Sequence, residues 1–450
     1  DLVTGVQTCA LPIYYLFQEG FDKRIAESNK RRDGILFSLT NSTVKILHKG
    51  TIENVDSLKN SLKESLLNNE KFACFFDKNK TIKFNKIIDN YEIKGFGNIC
   101  YYLNPVSNLI EPFVYLEGKA DNSFFYKLLG EITNELSCNE SKIDNYFSIS
   151  NDTIIPNNIT LTISYPVTIP KGYQLYIPKG TSINFTNGGF ICSYSPVNMH
   201  GNATDSILIT SSDKTGKGFH VFNCNKNSTI QYASFRNINN LNHNGWTLPS
   251  AVTFYESDVT IKNCSFGNNN CEDALNIFRS SYTLSNSEIK NTFSDAFDAD
   301  FSDGIITNCI FFNSGNDGID ISGSKLTLKN SVFYNIADKA LSAGEDSQMQ
   351  IDSIEINKCA MAIVSKDLSR VVINYAKVDS SDVVYSAFQK KKEFGPSSII
   401  ANKVAASNFK ENALIEVNSS LMIENQEYIG HRTDVKTILY GNEYGKATVK

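Results

Sequence analysis

The chain has no apolar run of about 18 residues or more, so no segment of it is built to cross a bilayer as a helix. Nor is there an excess of positive charge. With 43 Lys and Arg against 48 Asp and Glu the net charge is −5, which argues against a nucleic-acid surface and leaves room for metal ions or cationic partners. The cysteines lack metal-ligand spacing. Apart from Cys9, which is set aside below, they are odd in number, in a chain too long to need disulfide staples. Cys74, Cys100, Cys138, Cys192, Cys224, Cys271 and Cys359 show no paired spacing and read as small buried residues. Tryptophan occurs once, at Trp246. Apolar content is not lacking: 41% of residues are hydrophobic, enough for a real core, so the chain is not disordered. At 450 residues there is room for two or three domains, or one long solenoid and something else.

What is present above all is a repeat. Ala274-Leu-Asn-Ile, Ala296-Phe-Asp-Ala, Gly318-Ile-Asp-Ile, Ala340-Leu-Ser-Ala, Ala362-Ile-Val-Ser and Val384-Tyr-Ser-Ala follow one another at a constant step of 22. A second strand recurs through Ile261, Leu284, Ile306, Leu328, Ile351 and Ile373. A third recurs through Phe266, Ile289, Phe311, Phe333, Ile356 and Val378. Helical repeats run longer and carry a 3.6-residue period, whereas here apolar residues alternate over short runs. Several strands per repeat, matched position for position, stack in register. That is a right-handed parallel β-helix, expected over residues 150–425.

The turns agree with this reading. Asn263, Asn286, Asn308 and Asn330 share one position, and Asn tolerates left-handed backbone and can bond to the next coil, so the ladder reads as structural. Cys264 and Cys309 share a column two turns apart. At about 4.8 Å per rung they stand beyond disulfide reach. Upstream, Pro170–Ile177 and Gly180–Phe185 read as opening coils. Gly218–Phe222 matches the Ala274 strand, but the next rung is expected to begin only at Val252, one period plus 12 further on. The excess falls in 237–250, with His243 and Trp246, and is expected to project. Residues 426–450 are expected as a tail.

The alternation also sorts faces. Leu275, Phe297, Ile319, Leu341, Ile363 and Tyr385 point inward, as do the residues two further on. The alternate columns point outward: Asn276, Asp298, Asp320, Ser342, Val364, Ser386, and Phe278, Asp300, Ser322, Gly344, Lys366, Phe388. Before them stand Asp273, Asp295, Asp317, Lys339, Met361 and Val383. Asp273, Asp295, Asp298, Asp300, Asp317 and Asp320 therefore collect on one side of three adjacent turns, and Lys339, Glu345, Lys366 and Asp367 continue the stripe. Like charges stacked across a sheet are destabilising, so something compensates. Bound Ca²⁺, for which Asp273, Asp295 and Asp317 are the candidate ligands, is one answer. Carboxylates held protonated are a second, and solvation of an exposed face is a third.

Asn316-Asp-Gly-Ile-Asp320 resembles the Asn-Thr-Asp-Gly-Ile-Asp string of polygalacturonase-type hydrolases in the pectin-lyase-like superfamily. The resemblance covers one rung. The Asp-Asp-Cys and Gly-His-Gly rungs of those enzymes are absent, Lys339-Ala-Leu-Ser stands where the His rung belongs, and the Asp-Pro-His-Glu string of alginate epimerases does not occur. For a hydrolytic site, Asp298 and Asp320 are the acid/base pair to test first, with Asp300 and Lys339 beside them. One-rung separation suits retaining geometry better than inverting. Phe278, Phe301, Phe388 and Trp246 are candidate sugar-stacking aromatics.

Residues 14–145 lack the period and read as a small α+β region, with amphipathic helices expected at Ser57–Asn69 and Phe124–Leu136. Tyr15–Ile25, Arg32–Phe37, Asn98-Ile-Cys-Tyr-Tyr-Leu-Asn-Pro105 and Leu109-Ile-Glu-Pro112 resemble the C-terminal part of the spore-coat CotH kinase-like family. That resemblance implies an atypical kinase using ATP and Mg²⁺, with Asn98 on a metal-binding position and Glu117 as the acid nearest the expected metal-binding Asp. The nucleotide-clamping lysine and arginine region of such a domain precedes residue 14 and is missing, so the chain as given is expected to be inactive as a kinase. Residues 1–13, with Val3–Ile13, look like an in-frame translation of a sequencing adapter and are set aside; a signal peptide would have been lost with the true N-terminus.

The sequence favours a monomeric surface or secreted binding protein that recognises carbohydrate or protein along its acidic face. A polysaccharide hydrolase or lyase using Asp298 and Asp320 is one alternative. A CotH-type kinase with the β-helix as docking module is another.

Overall fold

The computed structural model describes residues 143–441 except 244 and 245, and before them only the backbone of seven strands. The chain divides into two compact units, residues 1–140 with 241–248, and residues 141–240 with 249–450. In the first unit, five antiparallel strands lie in the order Thr43–Thr51, Asp33–Thr40, Lys71–Phe75, Ile99–Leu103 and Ile110–Val114. Lys83–Ile87 pairs separately with Asn90–Lys94. Both helices expected there, and Asn98 and Glu117, fall outside the described residues.

The second unit is a right-handed parallel β-helix of about 12 turns. Each full coil carries three strands. In one coil these are Asp273–Phe278, Ser281–Ser285 and Glu288–Thr292, and each pairs in parallel with its equivalent one period on. Leu275, Phe297, Ile319, Leu341 and Ile363 are fully buried, as the alternation requires. The other two strand columns bury Ile306, Leu328 and Ile351, and Phe311 and Phe333. Phe311 and Phe333 stack at 4.8 Å, so equivalent side chains form continuous interior ladders.

One coil stands ahead of the two expected opening coils, within the expected span of 150–425. Thr153–Pro156, Thr160–Ile163 and Pro166–Ile169 already stack under the next coil. The insertion before Val252 is one residue shorter than expected, because Phe219 and not Gly218 pairs with Val252. Its excess forms an antiparallel hairpin, Leu241–His243 with Trp246–Leu248, outside the parallel ladder. Antiparallel hairpins also close both ends of the stack, Phe147–Ser150 with Thr153–Pro156 and Ser420–Ile423 with Gln426–Ile429. They occupy the edges that a solenoid would otherwise expose.

The corners are polar ladders. Asn263, Asn286, Asn308 and Asn330 all have φ between 46° and 56°, and Asn308 Nδ2 donates to Asn286 Oδ1 at 3.1 Å. A second ladder runs through Asn268, Asn291, Asn313 and Asn335, linked at 2.9 and 2.6 Å. Asparagine carries the left-handed turn at lower cost than most side chains and joins adjacent coils through its amide. A third column, inside the corner after the first strand, is serine. Backbone N–H groups of Ser257, Ser280, Ser302, Ser324 and Ser347 donate to the hydroxyls of Ser280, Ser302, Ser324, Ser347 and Ser369 at 2.7–3.1 Å. Buried N–H groups that the corner removes from the β-ladder are thereby satisfied. Cys264 and Cys309 stand in a similar column with Ser287 and Ser331, and their N–H groups donate to those hydroxyls. Both thiols are free and buried.

The segment expected as a tail is ordered through 441. It carries the helix Val435–Leu439, whose Val435 and Leu439 pack with Met361, Val364, Val383, Phe388 and Leu414.

Candidate active site

The six aspartates share one face because their strands stack in register: Asp273 pairs with Asp295, and Asp298 with Asp320. The face is less open than an outward column suggests. Asp273, Asp298, Asp300 and Asp317 are buried, at 2%, 8%, 1% and 2% exposure, while the Asp320 side chain keeps 26%. Simple solvation of this cluster is therefore excluded, since buried carboxylates must be paired, bonded or protonated.

The acids ahead of the strands form a relay between coils. Asp295 Oδ1 accepts from the N–H of Asp317 at 2.7 Å and from Asn316 Nδ2 at 2.6 Å. One coil on, Asp317 Oδ1 accepts from the Lys339 N–H at 3.0 Å. Lys339 Nζ lies 3.3 Å from Asp317 and 2.6 Å from Asp338. Burial, then the neighbouring Asp317 and Asp320, push the Asp295 carboxyl well above the usual range. Asp317 is raised by burial to about 6, with Lys339 opposing. Burial works against the Lys339 ammonium, yet Asp317 and Asp338 hold its pKa well above the ordinary lysine value. Lys339 is thus a locked cation rather than a proton acceptor. Asp273, buried and then repelled by Asp295, is also raised well above normal, and its Oδ2 makes no hydrogen bond.

Asp298 and Asp320 face each other across one rung, and their surroundings push their pKa values in opposite directions. Burial, followed by the charges of Asp300 and Asp273, raises Asp298 well above the usual range. Asn276 Nδ2 donates to its Oδ2 at 3.0 Å and fixes the carboxyl. Burial would raise Asp320 as well, but Lys366 and then Lys339 outweigh it and bring Asp320 below the ordinary value. Lys366 Nζ reaches Asp320 Oδ1 at 3.5 Å. To do so it passes over Gly344, where an added Cβ would lie 3.3 Å from Lys366 Cε and 3.7 Å from Nζ. Burial disfavours the Lys366 ammonium, but Asp320 more than restores it. Two carboxyls whose environments drive their pKa values apart are candidates for an acid/base pair.

Asp300 lies beside this pair in the next outward column. No three His, Cys, Asp or Glu side chains among the described residues converge in a way that could hold a metal ion. Asp273, Asp295 and Asp317 follow one another along the stack instead, each on its own coil.

The candidate aromatics separate. Phe278 is 1% exposed and stacks on Tyr255 at 4.8 Å, so it is packed rather than available to a ligand. Phe388 is fully buried against Tyr440. Phe301 is 38% exposed at the corner beyond Asp300. The side chains of His243 and Trp246 lie outside the described residues. Two open grooves of about 560 and 580 Å³ lie on the other strand columns, one along Asp303, Lys325 and Arg370, the other along Arg236, Ser265 and Glu288.

Sequence reasoning missed Asp338 and Tyr440. Asp338 escaped because the register slips between Ile336 and Lys339 and sets it off the repeating stripe. Tyr440 lies beyond the repeat, yet its ring stands 5.7 Å from Lys339 Nζ and 5.1 Å from Lys390 Nζ. The only available signal was apolar spacing at Val435, Ile438 and Leu439.

Comparison with known proteins bears on the fold. The family model for the right-handed beta helix region matches residues 250–427. No curated protein matches. Among solved structures, an alginate lyase from Paenibacillus sp. str. FPU-7 is similar at 11% identity and TM-score 0.34, over 59% of this chain and 98% of that one. The A-module of the Azotobacter vinelandii mannuronan C-5 epimerase AlgE4 is similar at 12% identity and TM-score 0.36, over 65% and 94%. The catalytic domain of an alpha-1,3-glucanase is similar at 13% identity and TM-score 0.30, over 56% and 63%. These likenesses decide nothing about chemistry; the coil register and the family match establish that residues 250–427 lie in a right-handed β-helix.

Proposed function

We propose that the β-helix is a polysaccharide hydrolase whose catalytic pair is Asp298 and Asp320. The observation that carries this reading is the pairing of two carboxyls across one rung in unlike surroundings, with Asn276 donating to Asp298 and Lys366 reaching Asp320. Rungs about 4.8 Å apart bring the pair near the separation of about 5–5.5 Å used by retaining glycosidases. Asp298, protonated, gives its proton to the glycosidic oxygen as the bond to the anomeric carbon breaks. Asp320, ionised, attacks that carbon and forms a glycosyl ester. Water then attacks the ester, its proton passes to the Asp298 carboxylate, and the sugar leaves with Asp320 restored.

Asn276 orients Asp298, and Lys366 keeps Asp320 ionised. Lys339 and Lys366, each paired with aspartate, are not the base that a lyase would need to abstract a ring proton. Recognition along an acidic surface is less favoured, because most of the cluster is buried. The rung that resembles polygalacturonase-type hydrolases is also the rung that carries Asp320.

The test is digestion of neutral and acidic polysaccharides by the wild type and by an Asp298→Asn/Asp320→Asn double variant. Turnover that falls to background in the double variant supports the reading. Equal turnover in both, or none in either, sinks it. A secreted or cell-surface location is part of the same proposal, since polysaccharide substrates lie there.

A further inference from the structure

We infer that this hydrolase acts on chain ends and not within chains. The inference rests on the hydrolase reading above. It comes from a wall that the repeat does not encode. The coil after Phe388 is longer than its neighbours, since Arg370 pairs with Ser398 where the period alone would bring Lys392. The extra residues form a loop tied to the acidic face. Asp367 Oδ1 accepts from the N–H groups of Lys390 and Lys391, each at 2.6 Å, and Lys391 pairs with Glu345.

The second part of the wall is the helix Val435–Leu439, which lies on the same outward columns. Val435 and Leu439 are 0% and 2% exposed against Met361, Val364, Val383, Phe388 and Leu414. Lys436 Nζ donates to the Lys390 carbonyl at 2.7 Å and joins helix to loop. Tyr440 then stands between Lys339 and Lys390 at the edge of the acid cluster.

A polysaccharide running along the helix axis past Asp320 needs an open lane on both sides of the pair. Downstream, that lane is filled from the coil of Met361 onward. Asp320 is the partly open member of the pair. A sugar chain therefore enters end-on, with its terminal residue at Asp298 and Asp320. The face also changes character at the wall. Acids give way to Met361, Val364 and Val383, which are apolar because a helix covers them and not because they bind sugar.

The experiment follows products over time for each polysaccharide that the full chain cleaves, and compares viscosity with reducing ends released. Wild type is expected to yield one short product from the first time point, with viscosity almost unchanged. A Val435→Ser/Leu439→Ser variant loosens the helix and leaves Asp298 and Asp320 in place. It is expected to release mixed lengths, with a several-fold larger viscosity drop per reducing end. A mixed internal-cleavage pattern from the wild type overturns the inference and leaves the hydrolase reading intact. An unchanged single-product pattern in a variant whose helix is shown by amide exchange to be released also overturns it. No turnover by either protein overturns the hydrolase reading and this inference with it.

Discussion

Two polar columns run along this β-helix within a few residues of each other, and they are built on opposite principles. The serine column at the corner, Ser257 through Ser369, is neutral, and each buried hydroxyl accepts the N–H of the preceding coil. The aspartate columns one strand away are charged groups in a buried place. Asp273 Oδ2 has no hydrogen bond, and three carboxyls are forced toward the neutral form. The same backbone geometry supports both. A fold that needed only polar rungs had serine and asparagine available and used them elsewhere. A catalytic role would account for carboxyls kept in a buried place where nearby columns use bonded serine and asparagine.

That contrast can be broken at either column. The largest effect is expected from Asp298→Asn alone, which removes the proton donor. Turnover should fall about 10²–10⁴-fold, while the thermal midpoint holds because a neutral amide replaces a carboxyl that burial favours in its neutral form. Ser302→Ala should do the reverse. It leaves the buried Ser280 N–H without an acceptor and costs about 1–3 kcal/mol in chemical denaturation, with turnover per folded molecule unchanged.

Lys366→Met should sharpen the roles within the cluster. Without the ammonium, the Asp320 carboxyl rises, so the acid limb of the pH–rate profile moves upward while the alkaline limb, set by Asp298, moves less. Equal movement of both limbs would show that Lys366 does not distinguish the two acids.

The smallest effect is expected at Asp273. Its folded pKa is raised above the unfolded value near about 3.9, so folding takes up a proton. Stability from this group is fully present below the unfolded pKa and declines as pH rises toward the folded one. Asp273→Asn removes that decline. Its thermal midpoint should match wild type near pH 4 and exceed it by a few degrees at pH 7–8.

Much of the fold was legible because a constant period repeats the same physical demand many times. The inward column from Leu275 to Ile363, the left-handed asparagines and the out-of-reach Cys264 and Cys309 all follow from it. The serine column has the same period and went unread, since small polar residues also fill the turns of this serine-rich chain. The aspartates could be assembled on one face, because register alone decides that. Their burial could not be read, because an outward column looks solvated until something covers it. Downstream, the cover is Val435, Leu439 and Tyr440, which lie outside the repeat and share no spacing with what they cover. The unlike surroundings of Asp298 and Asp320 were hidden for a similar reason. Lys366 reaches Asp320 from two coils away, across a glycine whose importance appears only when a Cβ is placed there.

The central claim is that Asp298 and Asp320 hold opposite protonation states in the folded protein. Carboxyl carbon-13 NMR of the intact chain, with assignments made by Asp298→Asn and Asp320→Asn, reads this directly. The account predicts that the Asp298 signal titrates above the ordinary carboxylate range and the Asp320 signal below it. Two signals that titrate together near about pH 4 would contradict it.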